Sequence, residues 1–277
     1  MTEGRLSVCG TPIGNLGDVS ERLIQILSEA DVVYAEDTRR TSKLLSHVGV
    51  KPRLRSLFVG NERERTADLL SDISSGQRVV LVSDAGMPTV SDPGANAVRE
   101  AREAGFPVTV VPGPSAVTTA VTASGFEGDR FVFEGFLPRK GKVREARLVG
   151  ISTEERMVVL FASPHRLAGD LEDLLRVLGG GRQVAVAREL TKLHEEVWVG
   201  SLNDAIERWS GDVKGEVTVV IEAGAPLLVS DREAVGQAVA RVAAGMSRSD
   251  AARETAVSTG VSRKVIYEAL LKDQDSI

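Results

Sequence analysis

Three loops rich in glycine and proline carry residue types that can enclose a small ligand. They read GTPIGNLGD (residues 10–18), SDAGMPTVSDPG (residues 83–94) and VPGPSA (residues 111–116), and each continues a short apolar run. Glycine allows the backbone to approach a ligand closely, and proline fixes the shape of a loop. Because none of these loops contains lysine or arginine, they favour a ligand held by backbone groups and apolar contacts.

The loops do not match the common nucleotide-binding motifs. GTPIGN is neither G-x-G-x-x-G nor G-x-x-x-x-G-K-[ST], the glycine patterns of dinucleotide and P-loop sites. Glu36 and Asp37 do end the second predicted strand, where a dinucleotide fold places a ribose-binding acid. Without the glycine pattern, we do not expect NAD(P) to bind.

The elements that position these loops alternate between strands and helices. Apolar runs predict strands at RLSVCG, DVVYA, RVVLV and PVTVV, with helical patterns between them and after the last, up to Gly125. This alternation predicts an α/β fold with a doubly wound, mostly parallel sheet. In such a sheet, ligands bind outside the carboxyl ends of the strands, which is where all three loops fall.

The chain changes character after Gly125. Strands are predicted at RFVFEGF, RMVVLFA, VAVAREL, EEVWVGSL and GEVTVVIEA, with fewer helices between them, and short connections favour antiparallel pairing. We therefore predict an N-terminal α/β domain over residues 1–125 and a second α/β domain with a mixed or largely antiparallel sheet over residues 126–228. A small helical extension is predicted over residues 229–277.

Composition and charge argue against several classes of protein. The 277 residues carry a net charge of −5, so no global basic field draws the chain to nucleic acid or to an anionic membrane. No apolar run approaches the roughly 18 residues that span a bilayer, and the first residues lack a secretory pattern. Cys9 is the single cysteine, and three scattered histidines do not provide a zinc site. We expect a cytoplasmic protein without a bound metal.

The order of several segments resembles a known superfamily. TPIGN, AEDTR, SDAGMPTVSDPG and PGPSA, each at the end of a strand, are similar to the tetrapyrrole methylase superfamily, whose members use S-adenosylmethionine. FEGFLPRKGKVR, SPHR, ARELTKLHEE and KGEVTVV narrow the resemblance to the ribosomal RNA small subunit methyltransferase I family. The resemblance extends from about residue 5 to residue 225.

The resemblance implies an enzyme with two α/β domains of the tetrapyrrole methylase type, with the cofactor folded between them. It implies methylation of the ribose 2′-oxygen of a cytidine in the decoding region of small-subunit (16S) rRNA, as free RNA or within the small ribosomal subunit. A homodimer and a helix-turn-helix-like extension are also implied. Related tetrapyrrole enzymes often have Gly-Asp-Pro where this chain has Gly86-Met87-Pro88, a difference that favours the RNA branch.

The resemblance also implies positions that contact the cofactor. They are Pro12, Ala85, Gly86, Met87, Val90, Ser115, Ala116, Leu160 and Phe161. Ala85, Gly86 and Met87 would present backbone groups to the methionine part, and Val90 would line the same pocket. Ser115 and Ala116 open a helix whose N-terminus suits a carboxylate, while Leu160 and Phe161 would face the adenosine.

Transfer to a ribose hydroxyl requires that the oxygen be positioned and deprotonated, so a general base would help. RELTKLHEE (residues 188–196) is the best-placed charged cluster, and Glu189 or Lys192 could take the proton. The alternative for this segment is a solvated charged edge between two strands. Residues 36–39 form a second candidate set, for which a helix-capping role of Asp37 is the alternative.

A basic segment could contact the phosphates of RNA. PRKGKVREAR (residues 138–147) has five basic side chains and one acidic side chain, and its glycine permits a mobile loop. Phosphate contacts would make RNA binding depend on salt, whereas the alternative is an ordinary solvated surface. The residues predicted to contact RNA are Arg39, Arg139, Lys140, Lys142 and Arg144.

Two other functions stay open at this point. One is a methyltransferase that acts on a tetrapyrrole or another small molecule, although the basic segment and Met87 both disfavour it. The other is a DNA-binding regulator that senses a ligand, because STGVSRKVIYEALL fits a turn followed by a recognition-like helix. Residues 231–277 have seven basic and seven acidic side chains, however, which predicts little DNA binding. We therefore expect neither DNA nor a membrane as a partner.

Overall fold

The computed structural model describes residues 4–224 and 230–272, which fold into two compact units. The first unit comprises the described residues up to Ala123 together with Arg188–Glu196. The second comprises Ser124–Ala187 and the described residues from Val197 onward. Segment 188–196, placed by sequence in the second domain, therefore belongs to the first unit. Among the described residues, no helix has both the length and the apolar character needed to cross a membrane.

The first unit contains a five-stranded sheet. Its strands are β1 (Arg5–Cys9), β2 (Val32–Ala35), β3 (Arg53–Ser56), β4 (Arg78–Val82) and β5 (Val108–Val111). The helices that alternate with them are α1 (Glu21–Glu29), α2 (Thr38–Val48), α3 (Glu62–Ser74), α4 (Ala95–Glu103) and α5 (Ala116–Ser124). The strand order is β3-β2-β4-β1-β5, and each neighbouring pair runs parallel. The predicted α/β fold with a parallel sheet is confirmed.

The three inner strands of this sheet, β2, β4 and β1, are mostly apolar because helices cover both faces of the sheet. Successive side chains of a strand point to opposite faces. Val79 of β4 accordingly shares a core with Leu69 of α3, whereas its neighbour Val80 shares the other core with Leu23 of α1. Burial on both faces explains why β4 reads as a nearly continuous apolar run instead of an alternating one.

Local signals set the ends of the first helices. The Ser20 side chain accepts a hydrogen bond from the Leu23 amide at 3.1 Å and so caps the start of α1. α2 ends at Gly49, whose φ of 77° lies in the left-handed region that glycine enters without a Cβ penalty. The predicted end of this helix at Gly49 is confirmed.

β3 and α3 are not predicted from the sequence. β3 is a four-residue edge strand with arginines at two positions, so it lacks an apolar run. Its attachment depends instead on Asp72 of α3, which accepts a hydrogen bond from Arg53 at 2.9 Å and one from the Tyr34 hydroxyl at 2.8 Å. Arg55 in turn donates to the Tyr34 oxygen at 3.2 Å. This network of side chains is visible only in three dimensions.

The second unit contains a mixed sheet. Its strands are β6 (Phe131–Phe136), β7 (Met157–Ala162), β8 (Gln183–Arg188), β9 (Glu196–Ser201) and β10 (Val217–Ile221), in the order β6-β7-β10-β8-β9. Its helices are α6 (Lys142–Ser152), α7 (Leu167–Leu178) and α8 (Leu202–Arg208). β6 and β7 are parallel, whereas β7 and β10 are antiparallel. The mixed sheet is confirmed, and α6 supplies the crossover that a parallel pair requires.

The predicted helical extension is present as a three-helix cluster. It consists of α9 (Asp231–Ala243), α10 (Arg248–Thr259) and α11 (Arg263–Lys272). The three helices share a small core, which contains Ala234, Ala238, Ala251, Ala252, Ile266 and Leu270. Alanines allow the helices to approach closely, so a short segment can bury a core of its own.

Candidate functional site

Three loops lie side by side at the carboxyl edge of the first sheet. We call them the β1 loop (residues 10–18), the β4 loop (residues 83–94) and the β5 loop (residues 112–115). β1 lies between β4 and β5 in the sheet. The chain leaves β1 towards β2 and leaves β4 towards β5, so the connections from these neighbouring strands run in opposite directions. Ligands of doubly wound sheets bind at such a switch point.

An isolated bridge joins the β1 loop to the β4 loop. The Thr11 amide donates to the Gly86 carbonyl at 2.9 Å, and the Gly86 amide donates to the Thr11 carbonyl at 3.1 Å. The Thr11 hydroxyl also donates to the Ser83 carbonyl at 3.3 Å. The amide of Gly86 therefore has a partner within the protein, while the predicted role of Gly86 towards a cofactor stays a prediction. Gly86 also supplies a φ of 83° at the centre of the loop.

Two glycines bring the β1 and β5 loops into direct backbone contact. A Cβ atom built on Gly113 would lie 2.7 Å from the carbonyl carbon of Gly10. A Cβ atom built on Gly10 would lie 2.6 Å from the sulfur of Met87, in the β4 loop. Both distances are too short for a real side chain. The three loops thus form one continuous floor, and the sequence signal for it was the Gly-Thr-Pro and Gly-Pro pattern.

The outer part of the β4 loop holds an unfavourable backbone conformation. Thr89 and Ser91 have φ values of 73° and 64°, in a region that residues other than glycine rarely adopt. Val90, between them, is 39% exposed. Strained residues of this kind concentrate at ligand-binding sites, so this segment is a candidate contact surface.

Most of the predicted cofactor positions are brought together at this edge. Those in the first unit are Pro12, Ala85, Gly86, Met87, Val90, Ser115 and Ala116. Pro12 is buried, Ala85 and Met87 are partly exposed, and Ala116 is the first residue of α5. Their role towards a cofactor stays a prediction.

Two predicted cofactor positions lie on β7 of the second unit. Leu160 is 2% exposed within the hydrophobic core of that unit, so its side chain is fully used in packing. Phe161 is partly exposed, and its ring lies 4.9 Å from that of Phe133 and 5.5 Å from that of Phe136, measured between centroids. Of the two, only Phe161 retains an exposed side-chain surface.

Carboxyl groups gather where β2 and β4 end. Asp84 accepts a hydrogen bond from the Asp37 amide at 2.8 Å. Burial, followed by the charges of Asp92 and Asp84, raises the pKa of Glu36. Hydrogen bonds from the side chain and backbone of Arg39 lower the pKa of Asp37 to about 2. Asp37 therefore caps α2, which agrees with the helix-capping role predicted for it as the alternative. Glu36 is the carboxyl group of this cluster whose pKa is raised.

Segment 188–196 packs onto the β1 loop. A Cβ atom on Gly14 would lie 2.4 Å from Cγ of Lys192, so the lysine stem lies directly over the glycine. The Lys192 ammonium is 2.8 Å from a carboxylate oxygen of Glu189, and their side chains are only 26% and 20% exposed. Glu189 and Thr191 have positive φ values of 52° and 66°. The alternative of a solvated edge does not describe this partly buried pair.

The prediction that Arg144 contacts RNA is wrong. Its side chain is buried on α6 and donates to Asp170 at 2.8 Å, to Asp173 at 2.7 Å and to the Pro138 carbonyl at 2.9 Å. A guanidinium whose donors are used in this way anchors the start of α6 within the second unit. Burial of this arginine depends on α7, which lies far along the chain and was not apparent in the charge pattern.

The other predicted RNA contacts are on the surface. Arg139 and Lys140 are exposed on the turn before α6, and Lys142 is exposed at the first position of that helix. None of the three makes an ion pair with any residue in the described part of the chain. The Arg39 side chain is 87% exposed and pairs with Asp37 at 2.8 Å. Their role towards RNA stays a prediction.

Cys9 belongs to the core of the first sheet. It is fully buried, and burial raises the pKa of its thiol to about 12, so it is unreactive. Within residues 4–224 and 230–272, no group of three or more histidine, cysteine, aspartate or glutamate side chains is arranged to hold a metal ion.

Comparison with a family model shows a match over most of the chain. Residues 5–206 match the family described as Tetrapyrrole (Corrin/Porphyrin) Methylases. A solved structure of uroporphyrin-III C-methyl transferase from Thermus thermophilus, complexed with S-adenyl homocysteine, superposes with a TM-score of 0.57. That structure is 21% identical in sequence, and the match covers 78% of this chain and 97% of the solved chain. At this identity, the similarity concerns the fold alone.

Two curated relatives are much more similar in sequence. The ribosomal RNA small subunit methyltransferase I of Mycobacterium tuberculosis (strain ATCC 25618 / H37Rv) is 45% identical over 277 residues, covering 99% of this chain and 97% of the relative. The protein of the same name from Thermotoga maritima is 47% identical over 219 residues, covering 79% of this chain and 98% of the relative.

Proposed function

This chain belongs to the ribosomal RNA small subunit methyltransferase I family of the tetrapyrrole methylases, and we propose which methyl transfer it performs. The cofactor is S-adenosylmethionine, and the acceptor is the ribose 2′-oxygen of a cytidine in the decoding region of small-subunit (16S) rRNA. Family membership makes the chain a methyltransferase. The choice of RNA, nucleotide and oxygen is the proposal.

The observation that carries the proposal is the continuous floor formed by the β1, β4 and β5 loops. It lies at the switch point of the sheet, has no lysine or arginine and includes the close contact of Gly10 with Gly113. S-adenosylmethionine carries a sulfonium and an ammonium cation beside its one carboxylate, so loops without lysine or arginine suit it. The N-terminus of α5, at Ser115 and Ala116, suits the carboxylate.

The remaining cofactor contacts are proposed from the family resemblance, and two of them are on β7 of the second unit. S-adenosylmethionine supplies an electrophilic methyl group on a positively charged sulfonium. Ala85 and Met87 would hold its methionine part through backbone groups, while Pro12 and Val90 would line the pocket. Phe161 would offer its exposed ring surface to the adenosine, and neighbouring Leu160 its backbone. The loops contain no lysine or arginine that would repel the sulfonium, and Lys192, which lies over Gly14, has its charge paired with Glu189.

Glu189 is the proposed proton acceptor. Its ion pair with Lys192 favours the charged forms of both groups, so the carboxylate, and not the lysine, is available to take the proton of the 2′-hydroxyl. Lys192 orients this carboxylate from its place over Gly14. Glu36 is the second candidate because its raised pKa is typical of a general base.

Contacts to RNA phosphates are assigned to exposed cations. Arg139, Lys140 and Lys142 lie close together along the chain at the start of α6, and Arg39 is exposed at the start of α2. Neutralising phosphates with these side chains would give an RNA affinity that falls as salt rises. We also propose that the protein is a cytoplasmic homodimer, which sedimentation at several concentrations would test.

The direct test is methyl transfer from labelled S-adenosylmethionine to small ribosomal subunits that lack the modification. We expect label in 16S rRNA, at one cytidine, in a form that resists alkaline cleavage because the 2′-oxygen is blocked. Protein-free 16S rRNA in parallel distinguishes the two forms of substrate. Label that enters a tetrapyrrole but not RNA would overturn the proposal in favour of the small-molecule alternative.

A further inference from the structure

The connection between β3 and α3 exposes an apolar pair. Phe58 is 45% exposed and Val59 is 79% exposed, although most large apolar side chains of the first unit are buried. Because β3 runs parallel to the rest of its sheet, this connection leaves the same carboxyl edge as the β1, β4 and β5 loops. An exposed ring at a ligand-binding edge requires an explanation.

The Phe58 ring is held in place. Its backbone amide donates to the side-chain oxygen of Asn61 at 2.8 Å, and the Asn61 amide group donates to the Ser56 hydroxyl at 3.2 Å. A Cβ atom on Gly60 would lie 2.7 Å from Cε2 of Phe58, so the ring lies over the glycine backbone. The ring is therefore exposed and yet positioned, which differs from a side chain on a loose loop.

A side-chain contact ties this connection to the β4 loop. Glu62 follows directly on Asn61, and its carboxylate accepts hydrogen bonds from the amides of Gly94 at 3.0 Å and Asn96 at 3.4 Å. Gly94 ends the β4 loop, in which exposed Val90 lies within the strained segment. The connection that carries the ring is therefore joined to the end of the β4 loop and lies at the same edge of the sheet as the candidate cofactor floor.

A cation accompanies this apolar surface. Arg63 is exposed on the first turn of α3 and makes no hydrogen bond or ion pair with any residue between 4 and 224 or between 230 and 272. Arg63 follows Phe58 closely along the chain, and Asn61 between them binds the Phe58 amide and is the N-cap residue of α3. An exposed ring together with an exposed arginine is the combination that binds single-stranded nucleic acid, because bases stack on the ring while the cation meets a phosphate. If the partner at Phe58 and Val59 were an apolar protein surface, an exposed arginine would not be required there.

We propose that the Phe58 ring stacks on a base of single-stranded RNA next to the nucleotide that is methylated, with Arg63 at the adjacent phosphate. This inference rests on the proposed function, since it presumes an RNA substrate. It adds a contact that holds the strand at the rim of the floor and so presents one ribose to the β1 and β4 loops.

The test compares Phe58→Ala, Phe58→Leu and Phe58→Trp with the full-length protein. We expect Phe58→Ala and Phe58→Leu to weaken binding of a short cytidine-containing oligoribonucleotide by about tenfold, the usual effect of losing one stacked base. Phe58→Trp should retain affinity, and its added fluorescence should be quenched by the oligoribonucleotide. Val59→Ala is the matched control, because it removes exposed apolar surface without a ring.

Methyl transfer to small ribosomal subunits separates this inference from the proposed function. We expect Phe58→Leu to raise KM for the subunits by about tenfold with little change in kcat and none in cofactor affinity. Wild-type protein that transfers no methyl group to rRNA would overturn the proposed function. If the wild-type protein methylates rRNA but Phe58→Leu has an unchanged KM, the stacking proposal is overturned and the proposed function stands. The same holds if Phe58→Leu changes only the oligomeric state of the protein.

Discussion

Gly10 and Gly113 meet backbone to backbone across two neighbouring strands: a Cβ atom on either would lie 2.7 Å from a backbone atom of the other. The β1 and β5 loops can approach this closely only because neither residue has a side chain. The contact lies beneath the sulfur of Met87. Changes at this point should therefore alter both the stability of the first unit and the floor on which the cofactor is proposed to bind.

We expect Gly113→Ala to lower the free energy of unfolding by about 1–3 kcal/mol, because the added methyl group must separate two backbones. Calorimetry should also show weaker binding of S-adenosylmethionine. Gly150→Ala is the control, since a Cβ atom there meets no other atom within 4 Å. Equal stability and cofactor affinity in Gly113→Ala and Gly150→Ala would contradict the assignment of the floor.

We expect Gly14→Ala to reduce kcat about tenfold or more while leaving KM for the cofactor nearly unchanged. The added Cβ atom would lie 2.4 Å from Cγ of Lys192, so the Glu189–Lys192 pair must shift, and small displacements of a reacting group are costly. Steady-state kinetics would measure this. Gly17→Ala, where the added Cβ atom meets only the end of the Asn15 side chain at 3.1 Å, should behave as wild type. A similar kcat in both variants would remove the pair from the mechanism.

Glu36→Gln should stabilise the protein more at neutral pH than at acidic pH. The folded-state pKa of Glu36 is raised above its ordinary value of 4.5 by burial and by Asp92 and Asp84. Below 4.5 the carboxyl is protonated in both states and contributes no penalty. As pH rises through the raised pKa, ionisation costs more in the folded protein, so wild type loses stability that Glu36→Gln keeps. Thermal midpoints across this range would measure the difference, and a constant gap would show that Glu36 is not perturbed.

Arg144→Met should destabilise the second unit by about 1–3 kcal/mol, because the buried Asp170 keeps only its longer contact with Arg166, at 3.2 Å, and Asp173 loses its bond to Arg144. Denaturant unfolding would measure the loss. Arg139→Ala, on the exposed turn nearby, should change stability by less than about 0.5 kcal/mol. If Arg144→Met unfolded at the same denaturant concentration as Arg139→Ala, Arg144 would have no structural role and would again be a candidate for contacting RNA.

Replacing Arg139, Lys140 and Lys142 by Gln should weaken RNA binding without changing cofactor affinity. Removing three phosphate contacts to a single strand should make the slope of log affinity against log salt shallower by about 2. Titrations of RNA at several salt concentrations would give this slope. An unchanged slope would identify the turn as ordinary solvated surface.

Some elements of this fold can be predicted from the sequence because the residues that determine them are close together along the chain. The valine-rich run of β4 and the glycine at the end of α2 act within a few residues, and their outcomes agree with the predictions. β3 is different, since Arg53 pairs with Val32 of β2 and its side chain also binds Asp72, which lies on a helix further along the chain.

The same distinction applies to the candidate site. The three loops could be expected at one edge because parallel strands place their carboxyl ends together. The contact of Lys192 with Gly14 could not, because those residues are far apart along the chain. Arg144 shows the reverse case: its basic segment predicts an exposed side chain, whereas the structure buries it in ion pairs with two aspartates far along the chain.

The division of the chain between the two units has a consequence for synthesis. β1–β5 are complete once residue 123 has left the ribosome, yet Lys192 can reach Gly14 only after β6, β7 and β8 have been made. A nascent or prematurely terminated chain can therefore form the first sheet and its loop floor without the Glu189–Lys192 pair. Translation thus delivers the proposed proton acceptor late, so an unfinished chain has the floor for the cofactor before it has the means to use it.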